Sequence, residues 1–524
     1  MGEIPSSFGN LNRLIRLSMF SNKLYGNFPS ALLKMTRLST LILSSNKFTG
    51  TLPPNITSLS NLAFFDASDN ALSGTLPSSL FTIPSLTSID LSDNQLEGTL
   101  EFGNTSSPPN LQALRIGGNN FIGPIPSSIS KLTNLEELDL SSFNTQGPVD
   151  GGLPENILGN LRSLDVGHNQ LTGKLPRSSI RMSSPLEVLN VESNRINDTF
   201  PFWLSSLQSL QVLVLGSNSF HGPIHHQVSF PKLRIIDISR NHFNGSLPTS
   251  YFAKWSAMSS LGTNEEDQSK VNYMGDEVDY GYYHDSIVLM NRGLEMELVS
   301  ILKIYTALDF SGNELEGEIP RSIGLLKEIH VLNLSNNGFT GHMPSSLGNM
   351  TALESLDVSR NKLSGEIPQE LGNLSFLAYM NFSHNQLVGL VPGGTQFRRQ
   401  NCTSFEDNMR LFGPSLDEVC GDIRTPASQQ HHESKGEEEV MSWIAVAIGS
   451  VPGIVFGLTI GYILVSYKPE WFLNPFGRAE APQRSRDWRG NVPDFLTKEM
   501  LELQHDIVFA RTRLLAHSEV NTLY

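Results

Sequence analysis

Thirteen asparagines recur at nearly constant spacing: Asn22, Asn46, Asn70, Asn94, Asn119, Asn169, Asn194, Asn218, Asn241, Asn313, Asn337, Asn361 and Asn385. Most neighbours are 23 to 25 residues apart. Between Asn119 and Asn169 the gap is two repeats, and Phe143 stands where the middle Asn belongs. Between Asn241 and Asn313 it is 72 residues, one repeat plus a 48-residue insertion. A fixed period of this size implies a solenoid, whose units bury their apolar faces only by stacking on one another. A generic α/β domain does not hold one residue type at one phase over so many turns.

One unit shows how the repeat is built. In the stretch from Leu38 to Pro53, Leu41 and Leu43 are spaced by two and belong on the inward face of a short strand. The same pair recurs as Ile89/Leu91, Leu213/Leu215, Leu332/Leu334 and Leu356/Val358. Asn46 follows at the turn, where its amide has donors and an acceptor for neighbouring backbone groups. Left unsatisfied, such buried groups cost about 1–3 kcal/mol each. Gly50 permits a tight chain path, and Pro53 closes a second extended piece. That piece reads Gly-x-Ile-Pro at Gly123–Pro126, Gly317–Pro320 and Gly365–Pro368. On these motifs the repeat resembles the plant-specific class of leucine-rich repeat. The resemblance implies an α/β solenoid of fourteen repeats, with a concave sheet and a convex L-x-G-x-I-P side that twists it into a superhelix.

The pattern stops between Pro248 and Leu308. From Asn264 to Asp285 seven acidic residues face Lys270 alone, with Tyr273, Tyr280, Tyr282 and Tyr283 interleaved. Acidic composition alone suits a disordered spacer, whereas the apolar-rich stretch 287–302 could dock on the solenoid edge. Four repeats follow. In this respect the chain is similar to the plant leucine-rich-repeat receptor-like proteins, which have an ectodomain and one membrane helix but no kinase. Their island, four repeats from the end, often carries Tyr, eight residues, then Lys-Gly, implicated in recognition and complex formation. Here the corresponding residues are Tyr283, Arg292 and Gly293. Arg keeps the charge but changes the hydrogen-bond geometry.

Only Cys402 and Cys420 occur, both just after the last repeat. Their position suits one bond stapling a C-terminal cap, with two free buried thiols as the alternative. The resemblance implies the bond, and with it an oxidising compartment. Nine Asn-x-Ser/Thr sequons, at Asn55, Asn104, Asn197, Asn244, Asn333, Asn349, Asn373, Asn381 and Asn401, are candidate glycosylation sites.

From Trp443 to Tyr467 there are 25 consecutive uncharged residues. As a helix they reach about 37 Å, enough to span a bilayer with some tilt. Glu437–Glu439 precede them, while Lys468, Arg478, Arg484, Arg486 and Arg489 follow, which places the repeats outside and the tail in the cytosol. Gly449, Gly453, Gly457 and Gly461 form overlapping Gly-x-x-x-Gly units, a groove for pairing with another helix. The expected organisation is leucine-rich repeats at 1–248, an island at 249–301 and four further repeats at 302–392. A cap and acidic linker follow at 393–441, then a transmembrane helix at 442–467 and a cytoplasmic tail at 468–524. The chain starts inside a repeat, at Met1-Gly2-Glu3-Ile4-Pro5, with neither a cap nor a signal peptide, so an N-terminally truncated protein is expected.

The net charge of −15 lies before residue 468, since the tail holds eight basic and eight acidic residues. Phosphate contacts need a basic face, which argues against nucleic acid. The 57 residues after Tyr467 are too few for a kinase, and no Walker loop or His-Glu-x-x-His stands anywhere. Asp66, Asp90, Asp139, Asp165, Asp237, Asp309 and Asp357 repeat at one strand position, as a structural ladder rather than catalytic carboxylates. No catalytic residue, metal site or cofactor is expected. Arg115, His168, Glu192 and Arg240 are expected to line the concave face as exposed positions. The resemblance implies a plasma-membrane receptor of type I topology. It would bind a peptide, protein or glycan in pathogen perception and signal through a partner leucine-rich-repeat receptor kinase. A developmental co-receptor of the same architecture, or a secreted inhibitor of a pathogen's enzyme, is the alternative.

Overall fold

A computed structural model of the chain describes residues 2–102, 110–142, 149–177, 184–224, 229–259, 287–291, 294–298 and 304–421. Each repeat contributes one three-residue strand to a single parallel sheet of fourteen, from Arg16–Ser18 to Tyr379–Asn381. The pairing is one to one, as in Thr40↔Phe64, Leu41↔Phe65 and Ile42↔Asp66. The middle residue of every strand points inward, and Leu41, Phe65, Ile89, Leu213 and Leu332 are wholly buried. Full burial of such a side chain stabilises by about 2 kcal/mol. One continuous core runs from Phe28 to Cys420.

The opposite wall holds the second extended pieces, Lys47–Gly50, Ala71–Thr75, Gln95–Thr99 and their equivalents, paired in parallel. A five-residue 3-10 turn follows most of them, entered from Pro53, Pro77, Pro126, Pro320, Pro344 or Pro368. The fixed φ of proline suits that entry. Gly317 shows why glycine precedes it. Its φ is +78°, and a Cβ there would lie 2.9 Å from the Ser246 side chain of the preceding repeat.

The asparagines bind the repeats together. Asn46 donates from Nδ2 to the carbonyls of Met19, Leu43 and Ser44 at 2.8–3.1 Å and accepts from the Leu24 N–H at 3.1 Å. The same set recurs at Asn70, Asn94, Asn218 and Asn361. Asn169 repeats the donor half, but its Oδ1 is buried without a partner. In the repeat before it Phe143 replaces the Asn, and 143–148 lie outside the described residues.

The ladder has a fourteenth member that the sequence reading missed. Asn408 donates to the carbonyls of Phe382, Phe405 and Glu406 and accepts from the Leu387 N–H at 2.9 Å. Its spacing of 23 from Asn385 was the signal. The cap is therefore a partial repeat, completed by the strand Arg410–Phe412, which pairs with Gln386–Leu390. Cys402 and Cys420 are joined in a disulfide with Cα atoms 5.1 Å apart. Phe382, Phe397 and Phe405 stack on one another in the same cap, with ring centroids 6.0–6.5 Å apart. Closing a loop of 18 residues restricts the unfolded chain and is worth about 3 kcal/mol. Replacing both cysteines by alanine should lower cap stability by that amount, read as earlier urea unfolding of 382–421 by hydrogen exchange.

The insertion leaves the sheet unbroken. Ile235–Asp237 pairs directly with Ala307–Asp309, residue for residue. Asn313 spans the gap too, donating to the Ile238 carbonyl and accepting from the Phe243 N–H, both at 3.0 Å. The insertion also begins later than residue 249. Tyr251, Phe252, Trp255 and Met258 are wholly buried, so the segment Tyr251–Ser259 belongs to the repeat before it. Of the island, the structure describes a two-stranded antiparallel hairpin, Ile287–Asn291 with Leu294–Leu298. Tyr283, Arg292 and Gly293 lie outside the described residues. So do 442–467 with Gly449, Gly453, Gly457 and Gly461, the tail, and Asn104. Among the described residues no helix is long and apolar enough to cross a membrane.

Candidate binding face

In each strand the first and third residues point to the concave side, and the third position carries the aspartate column. Oδ1 of Asp66, Asp90, Asp139, Asp165, Asp237, Asp309 and Asp357 accepts from the backbone N–H two residues on, at 2.7–3.1 Å. That bond fixes the turn in which Asp69, Asp93, His168, Arg240 and Arg360 adopt φ near +50°. Asparagines at the same register hold the other carboxylate oxygen. Asn190 donates to Asp165, Asn333 to Asp309 and Asn381 to Asp357, at 2.9–3.2 Å.

Two sequon residues are thus ladder members, and the glycosylation reading is corrected there. Asn333 is buried, and on both Asn333 and Asn381 the nitrogen that would carry a glycan is donated to an aspartate. Asn55, Asn197, Asn244, Asn349, Asn373 and Asn401 are exposed.

The expected exposed contacts also change. Arg115 is only 14% exposed at its side chain, clamped by two hydrogen bonds to Glu137 at 2.5–2.6 Å. Glu192 is buried and meets His168 Nε2 at 2.6 Å. Only Arg240 stands exposed. Sequence position marked the side of the sheet but not which side chains their neighbours would engage.

His168, Glu192, Asp237, Arg240 and Asp309 border one cavity of about 90 Å³ where the chain leaves the central strands of the sheet. Asp237 and Asp309 are register partners with no asparagine between them. Burial, and then the Asp309 charge, push the Asp237 carboxyl well above the usual carboxylate range. Burial raises Asp309 as well. A folded-state pKa above the unfolded one stabilises the fold below about pH 4, and this contribution is lost as pH rises through the folded value. Asp237→Asn should restore the Asp–Asn alternation and raise stability at pH 7 by about 1–2 kcal/mol. The gain should vanish near pH 4, which melting curves at both pH values will show.

Among the described residues no cluster of three His, Cys, Asp or Glu could hold a metal. What the face offers is a long, mixed, rigid surface. Models of the leucine-rich repeat match residues 37–59, 110–132, 160–182, 184–243 and 327–387. Receptor-like protein 35 of Arabidopsis thaliana is 76% identical over 340 residues, which is 64% of this chain and 35% of that protein. Receptor-like protein 34 of the same plant is 74% identical over 63% of this chain and 34% of its own length. In sequence this chain is similar to the plant leucine-rich-repeat receptor-like proteins. It spans about a third of the length of those relatives. Its fold is also similar to the plant peptide hormone receptor RGFR1, solved in complex with RGF2. That likeness has a TM-score of 0.61 and 27% identity, over 78% of this chain and 57% of that one.

Proposed function

We propose that the chain is the ligand-binding and anchoring part of a plant cell-surface receptor without kinase activity. The concave sheet and island would bind an extracellular peptide, protein or glycan, in pathogen perception, and a partner receptor kinase would carry the signal. The supporting observation is the uninterrupted fourteen-strand concave sheet, together with its likeness to a plant peptide hormone receptor solved in complex with RGF2. The sequence supports the anchor, with 25 uncharged residues from Trp443 to Tyr467 and basic residues after them. Tethering both proteins in one membrane raises their effective concentration, so modest contacts suffice.

The glycines at 449, 453, 457 and 461 supply the pairing face for the kinase helix. Replacing Gly453 and Gly457 together by isoleucine should cut recovery of receptor kinases in co-precipitation at least fivefold, with surface abundance unchanged. Equal recovery from wild type and variant would contradict helix pairing.

A further inference from the structure

The concave face changes character partway along the sheet. On the strands Phe64–Asp66, Ala113–Arg115 and Glu137–Asp139 only the inward middle residue is buried, and both concave positions are half open. The same holds for Tyr379–Asn381 at the far end. On six consecutive strands between them, from Ser163–Asp165 to Val331–Asn333, all three residues are buried. These six straddle the point where the island is inserted.

The chemistry changes with the burial. Val188, Val212, Val214, Ile235, Ala307 and Val331 form their own apolar cluster, separate from the solenoid core and at most 2% exposed. The run Val212-Leu213-Val214-Leu215 is apolar on both faces, the pattern of a strand covered on both sides. Tyr305, two residues before the strand Ala307–Asp309, packs against this cluster. A bare concave surface would leave such residues open to water, so another segment lies on them.

We propose that the island hairpin, Ile287–Asn291 with Leu294–Leu298, is that segment and lies on the apolar strip of the concave face. Its register pairs Ile287 with Leu298, Leu289 with Met296 and Asn291 with Leu294. One alternate set is therefore apolar except for Asn291, while the other contains Glu295 and Glu297. Met296 is half-buried. A two-stranded hairpin is marginal alone and needs such a surface. The tether allows the placement. Five residues, 299–303, separate the hairpin from Ile304, a reach of about 20 Å. Strands about 4.8 Å apart put Val188 only about 14 Å from Ala307. The hairpin's five-residue strands, about 17 Å long, match the width of the strip.

The ligand-accessible sheet is then divided. A ligand meets the open concave positions before residue 163, the far end beyond Val331–Asn333, or the outer side of the hairpin, but not the central valines. This placement rests on burial and tether length and stands whether or not the receptor reading holds.

The test uses the full chain with p-benzoylphenylalanine at Val212 or, separately, at Ala307. After irradiation, both positions should cross-link to peptides within 287–298. Cross-links instead to 422–524 or to a second copy, or none from either position, would overturn the proposal. Independently, Val212→Asp with Val214→Asp should speed amide exchange in 287–298 at least tenfold while leaving Thr40–Ile42 unchanged. Hairpin exchange unaltered in a variant that remains folded would equally overturn it.

Discussion

Replacing Asn313 by alanine should split the solenoid into two separately unfolding parts. Asn313 Nδ2 serves the carbonyls of Ile238, Phe310 and Ser311, and its Oδ1 accepts from the Phe243 N–H. Two of these partners lie on the far side of the insertion. Alanine leaves the buried Phe243 N–H without its acceptor, at about 1–3 kcal/mol, while the Ile238, Phe310 and Ser311 carbonyls keep donors in Asn241, Asn337 and the Arg240 N–H. A local loss of about 2–3 kcal/mol is expected. Nearest-neighbour coupling holds such arrays together, so weakening one interface lets each side unfold on its own. Urea titration followed by hydrogen exchange should show residues 307–421 opening before 184–241. The same change at Asn22, where the amide is exposed at the first turn, should cost well under half as much.

The second large effect concerns Trp255, which follows Pro248, where the repeat pattern stops in the sequence. It is wholly buried, with ring centroids 5.7 Å from Phe230, 5.3 Å from Phe252 and 5.7 Å from Tyr251. Trp255→Ala should cost about 3–5 kcal/mol through the cavity it leaves. Trp255→Phe should cost clearly less, because most of the edge-to-face packing survives. Were 249–259 a solvated linker, both changes would fall within about 0.5 kcal/mol. The midpoint of denaturant unfolding of the central repeats distinguishes the two cases.

The repeat itself was legible because one residue type, at one phase, performs one backbone task in every turn. Asn22 to Asn385 could be read from spacing alone. Asn408 could have been read in the same way, but Cys402 and the end of the Gly-x-Ile-Pro pattern drew the boundary too early. Tyr251 and Phe252 stand three and four residues after Pro248, as Leu80 and Phe81 do after Pro77, but Trp255 and Met258 are one residue out of phase with Ile83 and Leu86, so the repeat pattern was lost there. The valines at 188, 212, 214 and 331 did carry a signal, since apolar residues stand where other repeats place Ser, Asp or Glu. Reading it required knowing which alternate positions face the concave side. The engagement of Arg115 by Glu137 and of Glu192 by His168 depends on neighbours in adjacent turns, which sequence order alone does not pair. The aspartate column was read correctly as structural because its members recur with the strand rather than converge on one site.

The most direct measurement treats intact plant cells expressing the full-length protein with a membrane-impermeant amine reagent. Lys47, Lys232 and Lys362 are exposed on the repeats. If the chain is an extracellular docking surface, all three will be labelled before the cells are opened, and a receptor kinase will be recovered with the labelled protein. Labelling of these lysines only after permeabilisation would contradict that reading.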